Sequence, residues 1–334
     1  MKKILLALLV VVNLTGCTGG QTQVNQNPDI SEDNLADEIS RHIRHYPSEK
    51  IYMLGYSNDK CNIDLYVNGI KLSKAFNKAL GNSGIEINPF LFQSGKCKVS
   101  FKMYPLGKSK EYDEVFNTFV DDTNLNLSLL SYDLKDENAA DKEYITYTLP
   151  KKKEEVAKGY FREKFDGAGK TFFEDNFEFD IDLPYRSKPP FEDAMDLRKI
   201  NKSDLESKLL KKYQEVWNVY RNKEYDNIAR LEYHSLKDLY VSTYESKENV
   251  SKNIKTLFKQ IYKNSSFEMQ PMKKYKLAYF AGGKLAALMM DTNDNQLRGN
   301  TALWAKVNYD QGIRAIFLNR YFYIPAGETE FKVY

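Results

Sequence analysis

Cys61-Asn62-Ile63-Asp64-Leu65-Tyr66-Val67-Asn68-Gly69 decides how the first half of this chain is read. Cys61, Ile63, Leu65 and Val67 fall on one side, Asn62, Asp64 and Tyr66 on the other. Alternation with a period of two is the pattern of a strand with one buried face. Asn68-Gly69 suits the tight turn of a hairpin. Further along, Cys97, Val99, Phe101 and Met103 alternate with Lys98, Ser100 and Lys102 in the same way. So do Leu125, Leu127 and Leu129, then Ile145, Tyr147 and Leu149, then Phe177, Phe179, Ile181 and Leu183. Many short strands with one apolar face predict an all-β sandwich over residues 46–188.

Arg186-Ser187-Lys188-Pro189-Pro190 breaks the pattern. Two prolines stiffen the chain and remove backbone donors, which marks a domain boundary. Beyond it the period changes. Ser203-Asp204-Leu205-Glu206 has the form of a capping box. Leu205, Leu209, Tyr213, Val216, Trp217 and Tyr220 then make a helical apolar stripe. Further helices are expected over 225–240 and 247–263, followed by strands over 275–280, 285–290, 303–309 and 313–323. The expected fold is thus a two-domain chain. A sandwich is followed, over 189–334, by an α+β domain with three helices packed on an antiparallel sheet. From Cys61-Asn62-Ile63 to Met103-Tyr104-Pro105 the first domain resembles an immunoglobulin-like or jelly-roll module. The order of elements in the second resembles the NTF2-like cone, which implies a pocket but no particular chemistry.

The N-terminus carries Lys2-Lys3, an apolar run over residues 4–12, and Leu14-Thr15-Gly16-Cys17. The run is too short to span a bilayer, which takes about 20 apolar residues, and has the form of a secretory leader. The last four residues resemble the lipobox of bacterial lipoproteins. That resemblance implies cleavage after residue 16, a diacylglycerol and a palmitate-type acyl chain on Cys17, and anchoring in the envelope. Two or more chains hold stably where one does not. Thr18 follows the cysteine in place of Asp, which in this family favours the outer membrane of a Gram-negative envelope, with the periplasm as the compartment of export. Residues 17–45 are expected to serve as anchor and flexible tether, because 18–28 contain almost no apolar side chains.

In an exported chain two further cysteines are read as a pair. Cys61 and Cys97 both lie on apolar strand faces, so a disulfide across the sandwich core is expected, with two free buried thiols as the alternative. The whole chain has 334 residues, 28% of them charged, and a net charge of +3. Lys2 and Lys3 of the leader supply two of those positives. A near-neutral chain offers no electrostatic reason to bind nucleic acid. Three His and three Cys leave little material for a metal cluster, and no cofactor is expected.

Candidate sites are sparse. Gly167-Ala168-Gly169-Lys170-Thr171 ends like a phosphate-binding loop, but the required upstream glycine position is Lys164. Asp291, Asn293 and Asn295 open like a calcium loop, but the sixth and twelfth positions are Gln296 and Ala302. An Asp- and Asn-rich turn is the better reading. His234, with Tyr213 and Trp217, is the candidate pocket, and a His beside acids can act as a general base. Lys252, Lys255, Lys259 and Lys263 line one helix face, opposite its apolar stripe, and suit anionic headgroups or an acidic partner. The 24 Tyr and 19 Phe favour recognition by outward aromatic side chains. The expected function is therefore a non-catalytic, lipid-anchored binding module with a protein or small-ligand partner in the envelope. The alternatives are an immunity lipoprotein neutralising a secreted antibacterial effector, and an enzyme using His234.

Overall fold

The computed structural model describes residues 24–76 and 80–334; the leader and Cys17 lie outside them and gain no support from the fold. Five strands open the first half: β1 (Lys50–Asp59), β2 (Cys61–Val67), β3 (Ile70–Ala75), β4 (Leu80–Glu86) and β5 (Gly95–Pro105). Next come a short ribbon of β6 (Gly107–Lys108) and β7 (Val115–Phe116), then β8 (Asn124–Asp133), β9 (Lys142–Thr148), β10 (Lys151–Ala157), β11 (Tyr160–Phe165) and β12 (Phe173–Ile181). One sheet runs β4-β1-β8-β9 and another β12-β5-β2-β3, while β10 and β11 pair only with each other. Pairing is antiparallel throughout both four-stranded sheets. The alternating apolar residues of β2, β5, β8 and β12 meet in one core that includes Ile63, Leu65, Phe101, Leu127 and Phe179.

The expected disulfide is absent. Cys61 and Cys97 are free, buried thiols. Both point inward, but the antiparallel register sets them apart. Cys61 lies opposite Pro105 on β5, whereas Cys97 lies opposite Phe179 on β12. The eight residues from 97 to 105 at about 3.3 Å each place the two roughly 26 Å apart along the sheet. A disulfide tolerates no more than about 7 Å between Cα atoms. Burial pushes each thiol up to about 12, so neither is a reactive thiolate.

Helices fill the other half. A short α1 (Leu35–Ser40) comes from the N-terminal segment. After the prolines follow α2 (Lys202–Arg221), α3 (Tyr225–Ser242) and α4 (Lys247–Leu257), the last continued by a π-helical turn over Phe258–Tyr262. The start of α2 differs from expectation. Asn201, not Ser203, is the N-cap, and its side chain accepts from the amides of Ser203 and Asp204, satisfying two of the donors a helix start leaves open. The remaining strands are β13 (Glu268–Met269), β14 (Tyr275–Phe280), β15 (Leu285–Met290), β16 (Trp304–Tyr309), β17 (Gly312–Phe317), β18 (Phe322–Tyr323) and β19 (Lys332–Val333). They form two sheets, β13-β16-β17 and β14-β15-β18-β19, rather than one curved sheet.

All six residues of β15 are buried, and their alternation shows why. Ala286 and Leu288 face the helices. Leu285, Ala287 and Met289 face a second cluster with Ile70 of β3, Phe191, Phe280 and Tyr321. This sheet is therefore a middle layer, with helices on one side and the first half of the chain on the other. The fold class read from sequence is corrected accordingly. The chain is a mixed helix-and-strand protein, about 37% strand, spread over several small antiparallel sheets with four helices among the described residues. It is not a disulfide-tied all-β sandwich followed by an NTF2-like cone. Short strand alternation fixes which face is buried, but not how strands assemble into sheets.

From Gln26 onward, the segment expected as a tether is part of the fold. Ile30, Leu35, Ile39 and Ile43 enter the helical core. The Gln26 amide donates to the Val333 carbonyl at 3.1 Å, and its oxygen accepts from the Val333 amide at 2.7 Å, so one side chain completes the edge of β19. Arg230 of α3 donates to the carbonyls of Pro28 and Ile30.

Candidate functional site

The outer faces of β2 and β5 become one wall of a cleft between the two halves. Asp64 and Tyr66 on β2, with Ser100, Lys102 and Tyr104 on β5, form that wall. Lys276, Phe280, Asp291, Arg298 and Gly299 belong to the wall opposite, and the cleft encloses about 650 Å³. That volume lies within the usual range for small-ligand sites. A neighbouring cavity of about 380 Å³ shares Lys71, Met289 and Gly299 with it and reaches Ser235, Asn319 and Tyr334.

Strand β3 builds the junction. It is the edge of its sheet, and exposed edges invite unwanted pairing unless covered. Here the Gly69 carbonyl accepts from the Ala281 amide at 3.0 Å. Gly69 has φ +75°, and a Cβ there would lie 3.3 Å from that same nitrogen, so glycine suits both the turn and the close approach. Lys71 forms an ion pair with Asp64 at 2.5 Å, both side chains less than a tenth exposed. Burial pushes the Lys71 ammonium below its ordinary range, against the pull of Asp64. Lys74 crosses to the other half and donates to three carbonyls, of Asn295, Gln296 and Arg298. Burial, then the Lys71 charge, lowers it to about 8. The Asp- and Asn-rich turn thus offers part of its carbonyl array to a lysine of this same chain.

Two cations of the cleft have no carboxylate partner among the described residues. The Arg298 guanidinium rests 4.6 Å from the Phe76 ring centre and 4.3 Å from that of Tyr104. Lys102 lies 5.6 Å over Tyr66. Lys102 stands in register between Asp64 on β2 and Glu174 on β12, yet no ion pair joins it to either. Lys276, by contrast, reaches Asp291 at 3.3 Å. Tyr104 is raised to about 12, first by burial and then by Asp64.

The residues expected to form a pocket are not brought together. Tyr213 is in the core; its hydroxyl donates to the Arg320 carbonyl and accepts from the Leu288 amide. Trp217 donates its ring N–H to the Gln270 carbonyl. His234 is half-buried, its Nδ1 has no hydrogen-bond partner, and burial pushes it down to about 4. Neither cavity of the junction is lined by any of the three. The acids near His234 serve elsewhere. Glu232 accepts from Tyr220, Tyr262 and Arg320 in a buried network. Asp238 accepts from the Tyr334 hydroxyl at 2.9 Å and is raised to about 6 by burial.

Lys252, Lys255 and Lys259 are exposed, whereas Lys263 pairs with Glu32 of the N-terminal segment at 2.5 Å. The glycines at 167 and 169 lie in the turn between β11 and β12. No group of His, Cys, Asp and Glu among the described residues could hold a metal ion, and no helix among them is long and apolar enough to cross a membrane.

Sequence reasoning missed Lys71, Lys74, Lys102 and Arg298. The available signal was the polar face of the two opening strands, where Asp64, Tyr66, Ser100, Lys102 and Tyr104 recur. No family model, curated protein or solved structure matches this chain.

Proposed function

We propose that this chain is a non-catalytic recognition module of the bacterial envelope, held at a membrane by lipid on Cys17, with its ligand site in the cleft between the two halves. The cleft carries this reading: both halves contribute walls, and cations and aromatic faces line it without a histidine. A nucleophile would need a base within hydrogen-bond reach. Ser100 is the one aliphatic hydroxyl on the β5 wall, and it has no such partner among the described residues. Leu14-Thr15-Gly16-Cys17 supports the anchor, and Thr18 supports the outer membrane.

The test is photo-cross-linking in cells. A cross-linking residue in place of Ser100 or Tyr279, which line the cleft, is compared with one in place of Tyr160, which is 72% exposed on β11. A discrete adduct from the cleft positions and none from Tyr160 is expected. Cys17→Ala should release the protein from the membrane fraction. Adducts from Tyr160 alone would overturn the cleft, and membrane retention of Cys17→Ala would overturn the anchor.

A further inference from the structure

We infer that the cleft binds an oxyanion, the phosphate or carboxylate head of its ligand, between Arg298 on one wall and Lys102 on the other. This rests on the recognition reading above and names the chemistry of its ligand. Arg298 carries the argument. Its guanidinium lies against the Phe76 and Tyr104 rings, while no carboxylate, hydroxyl or carbonyl among the described residues accepts from its N–H groups. A half-buried guanidinium held by rings keeps its donors for a planar or tetrahedral oxyanion, which it grips with two parallel hydrogen bonds.

The second cation comes from a different element. Lys102 has its stem on β5 and its ammonium over Tyr66, again without an ion pair. Lys71 feels the positive charge of both Arg298 and Lys102, and both line the cleft with it. Lys71 is already neutralised by Asp64, and Lys276 by Asp291, so the uncompensated charge of the cleft is that of Arg298 and Lys102. Two like charges facing one space without a counterion repel each other, and an anion between them removes that repulsion.

Gly299 adds a steric argument. Its φ is +81°, and a Cβ there would lie 2.8 Å from the Lys71 ammonium and 3.1 Å from the Asp64 carboxylate. Directly after Arg298, the chain is thus pressed onto the ion pair, which fixes where the guanidinium emerges.

Isothermal titration of the full chain in detergent, at low salt, tests this with inorganic phosphate and with acetate as probes. Saturable binding of at least one probe is expected. Arg298→Lys keeps the charge but loses the fork, and should weaken binding at least tenfold, as should Lys102→Met. Lys152→Met, on the separate β10–β11 ribbon, should leave binding unchanged. Thermal melts of each variant report whether the fold is intact. Co-sedimentation of the Cys17→Ala chain with phosphatidylglycerol vesicles, lost when Arg298→Lys is added, assigns the oxyanion to a lipid headgroup. Phosphate binding without co-sedimentation assigns it to a free solute. Absence of saturable binding of both probes, or equal affinity in Arg298→Lys and wild type, overturns the inference. If cleft cross-links persist in that case, the recognition reading stands and only the ligand chemistry falls.

Discussion

Removing one member of the Lys71–Asp64 pair should be costly, and the two removals should differ. Both side chains are less than a tenth exposed and meet at 2.5 Å. Breaking such a pair leaves one charge buried and uncompensated, which typically costs about 3–5 kcal/mol. Lys71→Met strands Asp64, but Lys74 and Lys102 stand opposite it in register and partly offset its charge. A cost near the lower end, about 3 kcal/mol, is expected. Asp64→Asn strands the Lys71 ammonium beside the like charges of Lys102 and Arg298. Here about 4–5 kcal/mol is expected. The double variant should cost less than the sum of the two by at least about 2 kcal/mol, because its second change removes the stranded charge. Urea unfolding of the three variants measures this through shifted midpoints at an unchanged slope. Singles costing under about 1 kcal/mol, or an additive double, would refute the assignment of this pair as a buried, mutually dependent element.

Gly299→Ala should destabilise the protein and weaken ligand binding together, since the new methyl meets Lys71 and Asp64 at a backbone angle only glycine adopts easily; a melt within 1 °C of wild type would contradict this. The native protein should resist iodoacetamide at Cys61 and Cys97 at neutral pH and keep its melting temperature in reductant, since both are buried thiols raised to about 12. Intact-mass measurement showing a loss of two hydrogen atoms, the signature of a disulfide, would refute that. His234, lowered to about 4 in the fold from about 6.5 when unfolded, binds fewer protons folded than unfolded across that window. Its contribution is therefore present above pH 6.5 and is lost as pH falls to 4, on the order of 3 kcal/mol. Asp238, raised to about 6, works the opposite way, favouring the fold as pH falls from 6 to 4. His234→Asn should thus make stability less sensitive to acid between pH 6.5 and 4, and an unchanged pH profile would count against the burial of that ring.

The buried faces were legible where side chains alternate. Cys61, Ile63, Leu65 and Val67 do point inward, as do Cys97, Val99, Phe101 and Met103. What alternation leaves open is register, and register separates the two thiols. The polar half of the same strands misled for a different reason. Asp64, Tyr66 and Lys102 looked like a solvent face because a local pattern cannot report that a segment 200 residues later will cover it. Leu35, Ile39 and Ile43 recur every four residues, a helical stripe readable inside a stretch too polar, on average, to suggest a fold. The Lys74 contact with three carbonyls left no mark at all, since backbone acceptors are the same for every residue type.

The two-way hydrogen bond of Gln26 with Val333 sets the length of the leash. Nine residue-to-residue steps lead from Cys17 to Gln26, and at full extension they span no more than about 32 Å. On the proposed lipidation of Cys17, the helical half would be the part that rides close to the headgroups, with its leash tied to the outermost strand of the middle layer.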